Sequence, residues 1–256
     1  MSDFDRNYAT ARSGYRTDQV TIDAGLRAYM IRVYNYMAAG VALTGLVAYF
    51  TFSAAVTNVG GQLQLTAFGH AIFQSPLMWV FVLAPLALVM VLSFGINRLA
   101  ASTALMLFFV YAGLLGLSLA SIFLVYTGES ITRVFFISAA SFGALSLWGY
   151  TTQRDLTAMG SFLMMGLFGL ILAMLVNFVL AMFGVNTGPL DFIISCIGVL
   201  VFAGMTAWDT QRIKNMYDAM DDGTIAGRKA VMGALSLYLD FINLFMFLLR
   251  FLGDRR

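Results

Sequence analysis

The sequence predicts an all-α polytopic membrane protein with seven transmembrane helices. Of its 256 residues, 60% are hydrophobic and only 11% are charged, less than half of the roughly 25% usual in soluble domains. The mean hydropathy is +0.83, and the apolar residues fall in seven runs, each long enough to cross a hydrocarbon core. This composition excludes a soluble globular enzyme, a disordered protein and a nucleic-acid-binding protein.

Residues 1–27 form a polar N-terminal tail, which the sequence predicts to be flexible and cytoplasmic. The tail contains four arginines and four aspartates. It is not followed by a short apolar run with a small-residue cleavage site, so we do not expect a cleaved signal peptide. The predicted transmembrane domain extends over residues 28–253.

The seven apolar runs are predicted to be helices. In lipid, every backbone N–H and C=O group must be hydrogen-bonded within the protein, so only helices or a closed barrel can cross. The runs are continuous rather than alternating, which favours helices. The predicted spans are 28–53, 77–98, 102–126, 131–150, 161–183, 190–212 and 233–252.

The connections between spans are mostly short, which predicts that consecutive helices are antiparallel neighbours. The two longest connections are 54–76 and 213–232. Ala139 and Gly143 lie four residues apart in the fourth span, a spacing that places small residues on one helix face. We expect this face to pack closely against another helix.

Lysine and arginine are distributed unevenly between the connections, which predicts the orientation of the chain. The tail and the connections after the second, fourth and sixth spans contain basic residues, whereas 54–76 and 184–189 contain none. Basic residues favour the cytoplasmic side, so the N-terminus is predicted in the cytoplasm and the C-terminus outside. This prediction conflicts with the basic residues at the C-terminus, Arg250, Arg255 and Arg256. Either the last run does not fully cross the membrane, or the charge rule does not hold at a short terminus. Seven full spans remain the prediction.

Cysteine and histidine are too scarce to form a metal centre. Cys196 and His70 are the only residues of their types, which excludes an intrachain disulfide and a Cys/His cluster with ligand spacing. We expect Cys196 to pack as a small apolar residue and His70 to be solvated in a loop. No resident cofactor is predicted.

Two aspartates lie inside the apolar spans, where an ionisable group is destabilising by about 2.5–3.5 kcal/mol and is usually functional. Asp240 lies roughly 10 Å into the seventh span, and no lysine or arginine lies within four residues of it. Asp209 lies near the cytoplasmic end of the sixth span, so antiparallel helices would place both at similar depths. By contrast, Asp191 and Arg250 lie near span ends, where helix capping and snorkelling explain them.

Two buried carboxylates within hydrogen-bonding distance cannot both ionise cheaply, so the pair would hold one proton between them. Loss of that proton would leave adjacent negative charges, which must separate, hydrate or bind a cation such as calcium. Asp209 and Asp240 are therefore candidates for a proton-sensitive latch, a transient calcium site, or both. The alternative is two separate carboxylates, each hydrogen-bonded to nearby backbone or to Asn243.

Three segments carry a resemblance to a known family. They are LSLYLDFINLFMFLLR at 235–250, WDTQ at 208–211, and GYTTQRDL at 149–156 followed by Met159-Gly160. These segments resemble the Bax inhibitor-1 family, also called the transmembrane Bax inhibitor motif family, and the resemblance covers roughly residues 25–256. Trp208 stands where tyrosine is commoner in that family.

The resemblance implies a seven-helix bundle in which the seventh helix is central. It also implies that Asp209 and Asp240 match the family's pH sensor, in which a shared proton keeps a pore closed and deprotonation favours opening to calcium. The family latch includes an arginine from the second helix, for which Arg98 is the candidate here. Tyr238 and Asn243, which flank Asp240 in the motif, are expected to support it.

Three functions are compatible with these observations. The first is a pH-sensitive calcium leak channel of a bacterial inner membrane, without catalytic activity. The second, implied by the resemblance, is a regulatory partner of the membrane-bound AAA protease FtsH. The third is an intramembrane aspartyl protease, but the sequence before Asp240 lacks that chemistry's Gly-x-Gly. A retinal protein is excluded because Lys214 and Lys229, the only lysines, lie in one connection rather than in a span.

Overall fold

The structure is a computed structural model that describes residues 3–60 and 62–256, without the side chains of residues 3–23, Val59, Gln62 and Asn97. It confirms the predicted fold class, because the chain is 83% helical and seven helices are long and apolar enough to cross a membrane. The helices are α1 Asp3–Ala55, α2 Ala67–Phe73, α3 Leu77–Gly95, α4 Ala101–Leu119, α5 Ile122–Val125, α6 Gly128–Thr151, α7 Thr157–Met182, α8 Gly188–Asn215 and α9 Gly223–Leu252.

The seven long helices alternate in direction, so the molecule has two faces. We call the face at which the first span begins the N face; it includes the connections 96–100, 152–156 and 216–222. The opposite face, at which α9 ends, is the C face. Helix α1 starts at Asp3 and therefore continues through the residues for which the sequence predicts a flexible tail, while its membrane-spanning part is Ala24–Ala55.

Helix α9 is the central helix of the bundle, as the family resemblance implies. In its most apolar stretch 72% of the residues are buried, against 44% in α8 and 33% or less in each of the other five spans. It packs against α1, α4, α6 and α8.

Helix α9 begins at Gly223, well before the apolar run in which the seventh span is predicted. The carboxylate of Asp222 caps it, because Oδ1 accepts the backbone N–H groups of Thr224 at 2.9 Å and Ile225 at 2.7 Å. This N-cap satisfies two of the backbone donors that a helix start leaves unpaired. Most of the predicted connection 213–232 is consequently helical, and the observed connection is only 216–222.

The predicted loop 54–76 has secondary structure of its own on the C face. Val56–Val59 and Gln62–Leu65 pair as an antiparallel β-hairpin, and the short helix α2 follows. Gly60 in the turn has a φ of +62°, a conformation that glycine adopts without steric penalty. The hairpin therefore closes the connection between α1 and α3 over a short distance.

The C-terminal residues attach the end of α9 to the start of α6. The backbone N–H of Arg256 donates to the carbonyl of Val125 at 2.9 Å, and that of Thr127 donates to the carbonyl of Asp254 at 3.1 Å. The carboxylate of Asp254 also pairs with Arg133 at 2.8 Å. The central helix is thereby fixed at the C face by backbone bonds and by one ion pair.

Helices α6 and α8 are in closest contact at a glycine beyond the predicted contact face. A Cβ at Gly149 would lie 2.9 Å from the Cα of Ala207, so only glycine allows this approach. Gly143 has open space where a Cβ would stand, and it lines a groove beside α1. The small-residue spacing at Ala139 and Gly143 therefore does not mark the tightest contact of α6.

Candidate functional site

Helices α8 and α9 bring Asp209 and Asp240 together inside the bundle. The two helices are antiparallel, and they approach closely where a Cβ on Gly233 would lie 3.0 Å from Ile213. Seven residues further along α9, Asp240 is only 3% exposed, and Asp209 opposite it is 4% exposed. Both carboxyl groups are thus removed from solvent at the same level of the helix pair.

The two carboxyl groups are close enough to interact directly with each other. Ionised carboxylates only accept hydrogen bonds, so a bond between two carboxyl groups requires a proton on one of them. Oδ2 of Asp240 has no hydrogen-bond partner among the described residues. The geometry therefore accommodates one shared proton, whereas two ionised groups here would repel each other.

Arg212 is the basic residue beside the pair. One of its guanidinium nitrogens lies 3.0 Å from Oδ1 of Asp209 and 3.1 Å from the hydroxyl oxygen of Ser236 on α9, to which it donates. The guanidinium also lies 4.8 Å from the centre of the Trp208 ring. Because Arg212 follows Asp209 by three residues on one helix, this contact has a sequence signal, the i,i+3 spacing. Arg212 is 44% exposed and covers the pair from the N face.

Arg98, the arginine that the resemblance suggests as latch partner, lies elsewhere on the N face. It is the last residue of the single 3-10 turn Ile96–Arg98, between α3 and α4, and its side chain is exposed. It takes part in none of the ion pairs described for residues 24–60 and 62–256. The structure thus brings Arg212, rather than Arg98, into contact with the carboxyl pair.

Tyr238 and Asn243 lie close to Asp240 in sequence but contact other groups. The hydroxyl of Tyr238 is 2.6 Å from Oγ1 of Thr44, which in turn donates to the carbonyl of Ala112 at 2.9 Å. Tyr238 thereby connects α9 to α1 and α4. Nδ2 of Asn243 donates to the carbonyl of Leu239 within α9 at 2.8 Å. Neither side chain shares a described hydrogen bond with the carboxyl pair. Their contacts instead stabilise the position of α9.

The residues beside Asp209 hold α8 against its neighbours. The Trp208 indole lies against Gly160 of α7, where any Cβ would overlap the ring. On another side of α8, the hydroxyl of Thr210 is 2.9 Å from that of Ser146, which is 2.5 Å from the hydroxyl of Tyr34. The segment WDTQ therefore fixes the rotation of α8 and with it the direction of the Asp209 side chain.

Gln211 joins α8 to the connection between α6 and α7. Its Oε1 accepts the backbone N–H of Leu156 at 2.8 Å, and its Nε2 donates to the carbonyl of Arg154 at 2.8 Å. In the same connection, hydrogen bonds from the hydroxyl and backbone N–H of Thr157 lower the pKa of Asp155. The segments 149–156 and 208–211, which carry the family resemblance, are thus in direct contact.

A cavity of about 520 Å³ extends from the carboxyl pair toward the C face. It is lined by α4, α7, α8 and α9, and its lining is mostly apolar, with Asp209, Asp240 and Ser236 at one end and Arg250 at the other. Arg250 and Met174 also line a second cavity that opens on the C face. The carboxyl pair therefore forms the acidic end of this cavity rather than part of a solid core.

The described residues contain no group of three or more His, Cys, Asp or Glu side chains that could hold a metal ion. Calcium takes six to eight oxygen ligands in proteins, and two carboxyl groups supply at most four. A calcium ion at Asp209 and Asp240 would keep several water ligands. The residues thus fit a transient site better than a resident one.

Known proteins resemble the chain over almost its whole length. Residues 26–256 match the family model described as inhibitor of apoptosis-promoting Bax1. The inner membrane protein YbhL of Escherichia coli strain K12 is 45% identical over 235 residues, which cover 91% of this chain and 94% of YbhL. A protein of Caulobacter vibrioides is 44% identical over 257 residues and covers both chains completely. A protein of Rickettsia prowazekii is 47% identical over 236 residues, 92% of this chain and 93% of its own length.

Proposed function

The chain belongs to the Bax inhibitor-1 family and is a multi-pass protein of the inner membrane, and from this premise we propose that it is a pH-sensitive calcium leak channel. A proton shared by Asp209 and Asp240 holds the channel closed. The observation that carries the proposal is the proximity of two buried carboxyl groups at the end of a cavity. The proposal includes no catalytic step.

Gating follows from the charge of the pair. At low pH one proton is shared, and the hydrogen bond holds α8 and α9 together at this level. As the pH rises the proton leaves, and two negative charges face each other in a buried site, where repulsion is poorly screened. The helices then separate locally or the site takes up water and a cation. The sign of the response is therefore fixed: the leak increases as the pH rises.

The permeation route follows the cavity between α4, α7, α8 and α9. Its apolar walls would exclude a hydrated ion while the pair is protonated, and separation of α8 from α9 widens the same space. At the acidic end, Asp209 and Asp240 supply oxygen ligands that replace part of the hydration shell of calcium. At the other end Arg250 repels a cation, which keeps the leak slow.

The proposal also includes an orientation, with the N face in the cytoplasm. Arg98 and Arg154 lie in connections of that face, and Arg212 and Lys214 lie in the last turn of α8 beside it, whereas 56–76 and 183–187 on the C face contain no lysine or arginine. Basic residues in short connections favour the cytoplasmic side. In this orientation the carboxyl pair lies toward the cytoplasm and senses cytoplasmic pH.

The test is calcium entry into proteoliposomes of the purified chain, measured between pH 6 and 8. We expect entry to increase with pH in the native protein and to lose its pH dependence in Asp209→Asn/Asp240→Asn, which has no ionisable pair. Asp155→Asn is the matched control, because Asp155 is an exposed aspartate of the N face and its substitution should leave the pH profile unchanged.

Two results would overturn parts of the proposal. A leak whose pH dependence survives the double substitution would retain the channel but remove the carboxyl pair as its sensor. No entry at any pH, from protein that is folded by circular dichroism, would reject the channel. The FtsH-partner function would then be tested next, by deleting residues 1–22 and measuring protease-dependent turnover.

A further inference from the structure

The C face contains a cavity with charges of both signs, separate from the carboxyl pair. It has a volume of about 660 Å³ and is formed by the end of α7, the start of α8, the end of α9 and the C-terminal residues. The charged groups that line it are Arg250, Arg255 and Asp191. This volume lies within the range of sites for small ligands.

These three charges are not neutralised by one another. The ion pairs described for the chain are Arg133–Asp254, Arg212–Asp209 and Lys229–Asp221, so the three groups in the cavity form no ion pair. A guanidinium or a carboxylate at the edge of a membrane is stabilised by a partner of opposite charge. The cavity thus presents two cationic groups and one anionic group that remain available to a ligand.

The carboxylate of Asp191 is held in a fixed direction. Its Oδ1 accepts Nδ2 of Asn177 on α7 at 2.7 Å, and its backbone carbonyl accepts the hydroxyl of Ser195 at 2.7 Å. One carboxylate oxygen is therefore used within the protein, and the other has no described partner. A second donor is needed to complete the hydrogen bonding of this group.

Apolar side chains form the lateral rim of the cavity. Phe178 of α7 and Phe192 of α8 line it, and they are 60% and 58% exposed. Both lie about one turn from the C-face ends of their helices, at a depth where lipid headgroups meet acyl chains. The rim can contact the upper part of a lipid acyl chain, and the charged interior can contact the headgroup of the same lipid.

We propose that this cavity binds a phosphate–ammonium zwitterion of the ethanolamine phosphate type, with Arg250 and Arg255 at the phosphate and Asp191 at the ammonium group. Guanidinium groups bind phosphate oxygens through paired, charge-assisted hydrogen bonds. A simple anion would leave Asp191 unpaired, and a simple cation would be repelled by two arginines. Only a ligand with both charges satisfies all three groups.

The same headgroup chemistry could come from a membrane phospholipid or from a free phosphoethanolamine. We would delipidate the full-length protein in detergent and measure two quantities. The first is retention of phosphatidylethanolamine against phosphatidylcholine, by native mass spectrometry. The second is the shift of the unfolding midpoint with soluble phosphoethanolamine, phosphocholine or inorganic phosphate. The choline group has no N–H, so this comparison isolates the hydrogen bond to Asp191.

We expect native protein to retain the ethanolamine lipid about tenfold better than the choline lipid, the difference made by one charged hydrogen bond. Asp191→Asn should remove most of this preference, so that the two lipids are retained almost equally. Arg250→Gln should weaken the binding of both lipids about tenfold. Arg154→Gln, an exposed arginine of the N face, is the matched control and should change neither. Lipid retention without binding of soluble phosphoethanolamine assigns the ligand to the membrane, and binding of both shows that the headgroup suffices.

The proposal is overturned if native protein retains the two lipids equally, a comparison that needs no variant to fold. It is also overturned if inorganic phosphate shifts the midpoint as much as phosphoethanolamine does, because Asp191 would then have no role. Arg250 lines both cavities, but none of these measurements involves calcium or the carboxyl pair, so failure of the proposed channel would not change their outcome.

Discussion

Asp209 faces a carboxyl group and a guanidinium. With one proton in the pair, the guanidinium of Arg212 at 3.0 Å favours the negative charge on Asp209, and that charge repels a second negative charge on Asp240. The contact with Arg212 lacks the geometry of a hydrogen bond to Oδ1, so Arg212 acts on Asp209 through its charge. The balance between these neighbours should determine the pH at which the shared proton leaves.

Replacing Arg212 with glutamine should therefore move the proposed pH response of the leak upward. Without the positive charge the pair retains its proton to higher pH, so calcium entry should begin at higher pH. Arg212 is half exposed, and such ion pairs contribute about 0.2–1 kcal/mol, which corresponds to a shift of roughly 0.2–0.7 pH unit. The measurement is the pH profile of calcium entry into proteoliposomes.

Arg98→Gln is the informative comparison for this experiment. Arg98 is the arginine that the family resemblance suggests, but it is exposed and does not contact the pair. Its substitution should leave the pH profile of calcium entry unchanged. A shift in Arg98→Gln with none in Arg212→Gln would return the latch role to Arg98 and would mean that α3 moves toward the pair during gating.

At the scale of a helix pair, the approach of α6 to α8 depends on Gly149. A Cβ there would overlap the backbone of Ala207, which cannot move aside as a side chain end can. Gly149→Ala should therefore force α6 away from α8 and destabilise the protein by about 1–3 kcal/mol. The measurement is thermal unfolding in detergent.

Gly143→Ala is the matched control on the same helix. A Cβ at Gly143 would meet open space, so this substitution should be neutral or, through the higher helix propensity of alanine, stabilising by up to about 1 kcal/mol. Equal destabilisation by both substitutions would show that α6 tolerates no change anywhere, and that Gly149 has no special role in packing.

These two glycines also show which features of the helices are predictable from the sequence. The existence of the α6 span follows from its hydropathy, because apolar length alone decides whether a segment can cross. Which small residue meets a neighbour depends on the rotation of the helix, and Thr210 and Ser146 fix that rotation through a contact between distant residues. Hydropathy contains no information about such a contact. The start of helix α9 is not visible in the hydropathy for a related reason, since the cap at Asp222 lies outside the apolar run.

For the molecule as a whole, the two aspartates of the site are more predictable from the sequence than the residues that surround them. Asp209 and Asp240 could be identified because a carboxyl group inside an apolar span is rare and destabilising. Their juxtaposition required only that α8 and α9 be antiparallel neighbours. The basic neighbour Arg212 has only its spacing of three residues from Asp209 as a sequence signal, because a basic residue at a span end is also explained by snorkelling. The same ambiguity applies to Arg250 on the C face.

The orientation of the whole bundle depends on which basic residues set the direction of insertion. Arg255 and Arg256 lie on the C face, against the predicted pattern, but local contacts account for Arg256. Its Nε donates to the carbonyl of Tyr126 at 3.2 Å, and its guanidinium lies 6.0 Å from the Phe52 ring. A charge with such partners is stabilised on its own side whatever the orientation, so the connections of the N face should decide.

We therefore predict that the N face is cytoplasmic, and two single-cysteine variants in a Cys196→Ser background can test this. Gln64→Cys lies in the exposed hairpin of the C face, and Gln153→Cys lies in an exposed connection of the N face. Neither substitution removes a charge. A membrane-impermeant maleimide should label Gln64→Cys in intact spheroplasts and Gln153→Cys only after permeabilisation. The reverse labelling would place the carboxyl pair toward the outside, and the proposed channel would then sense external rather than cytoplasmic pH.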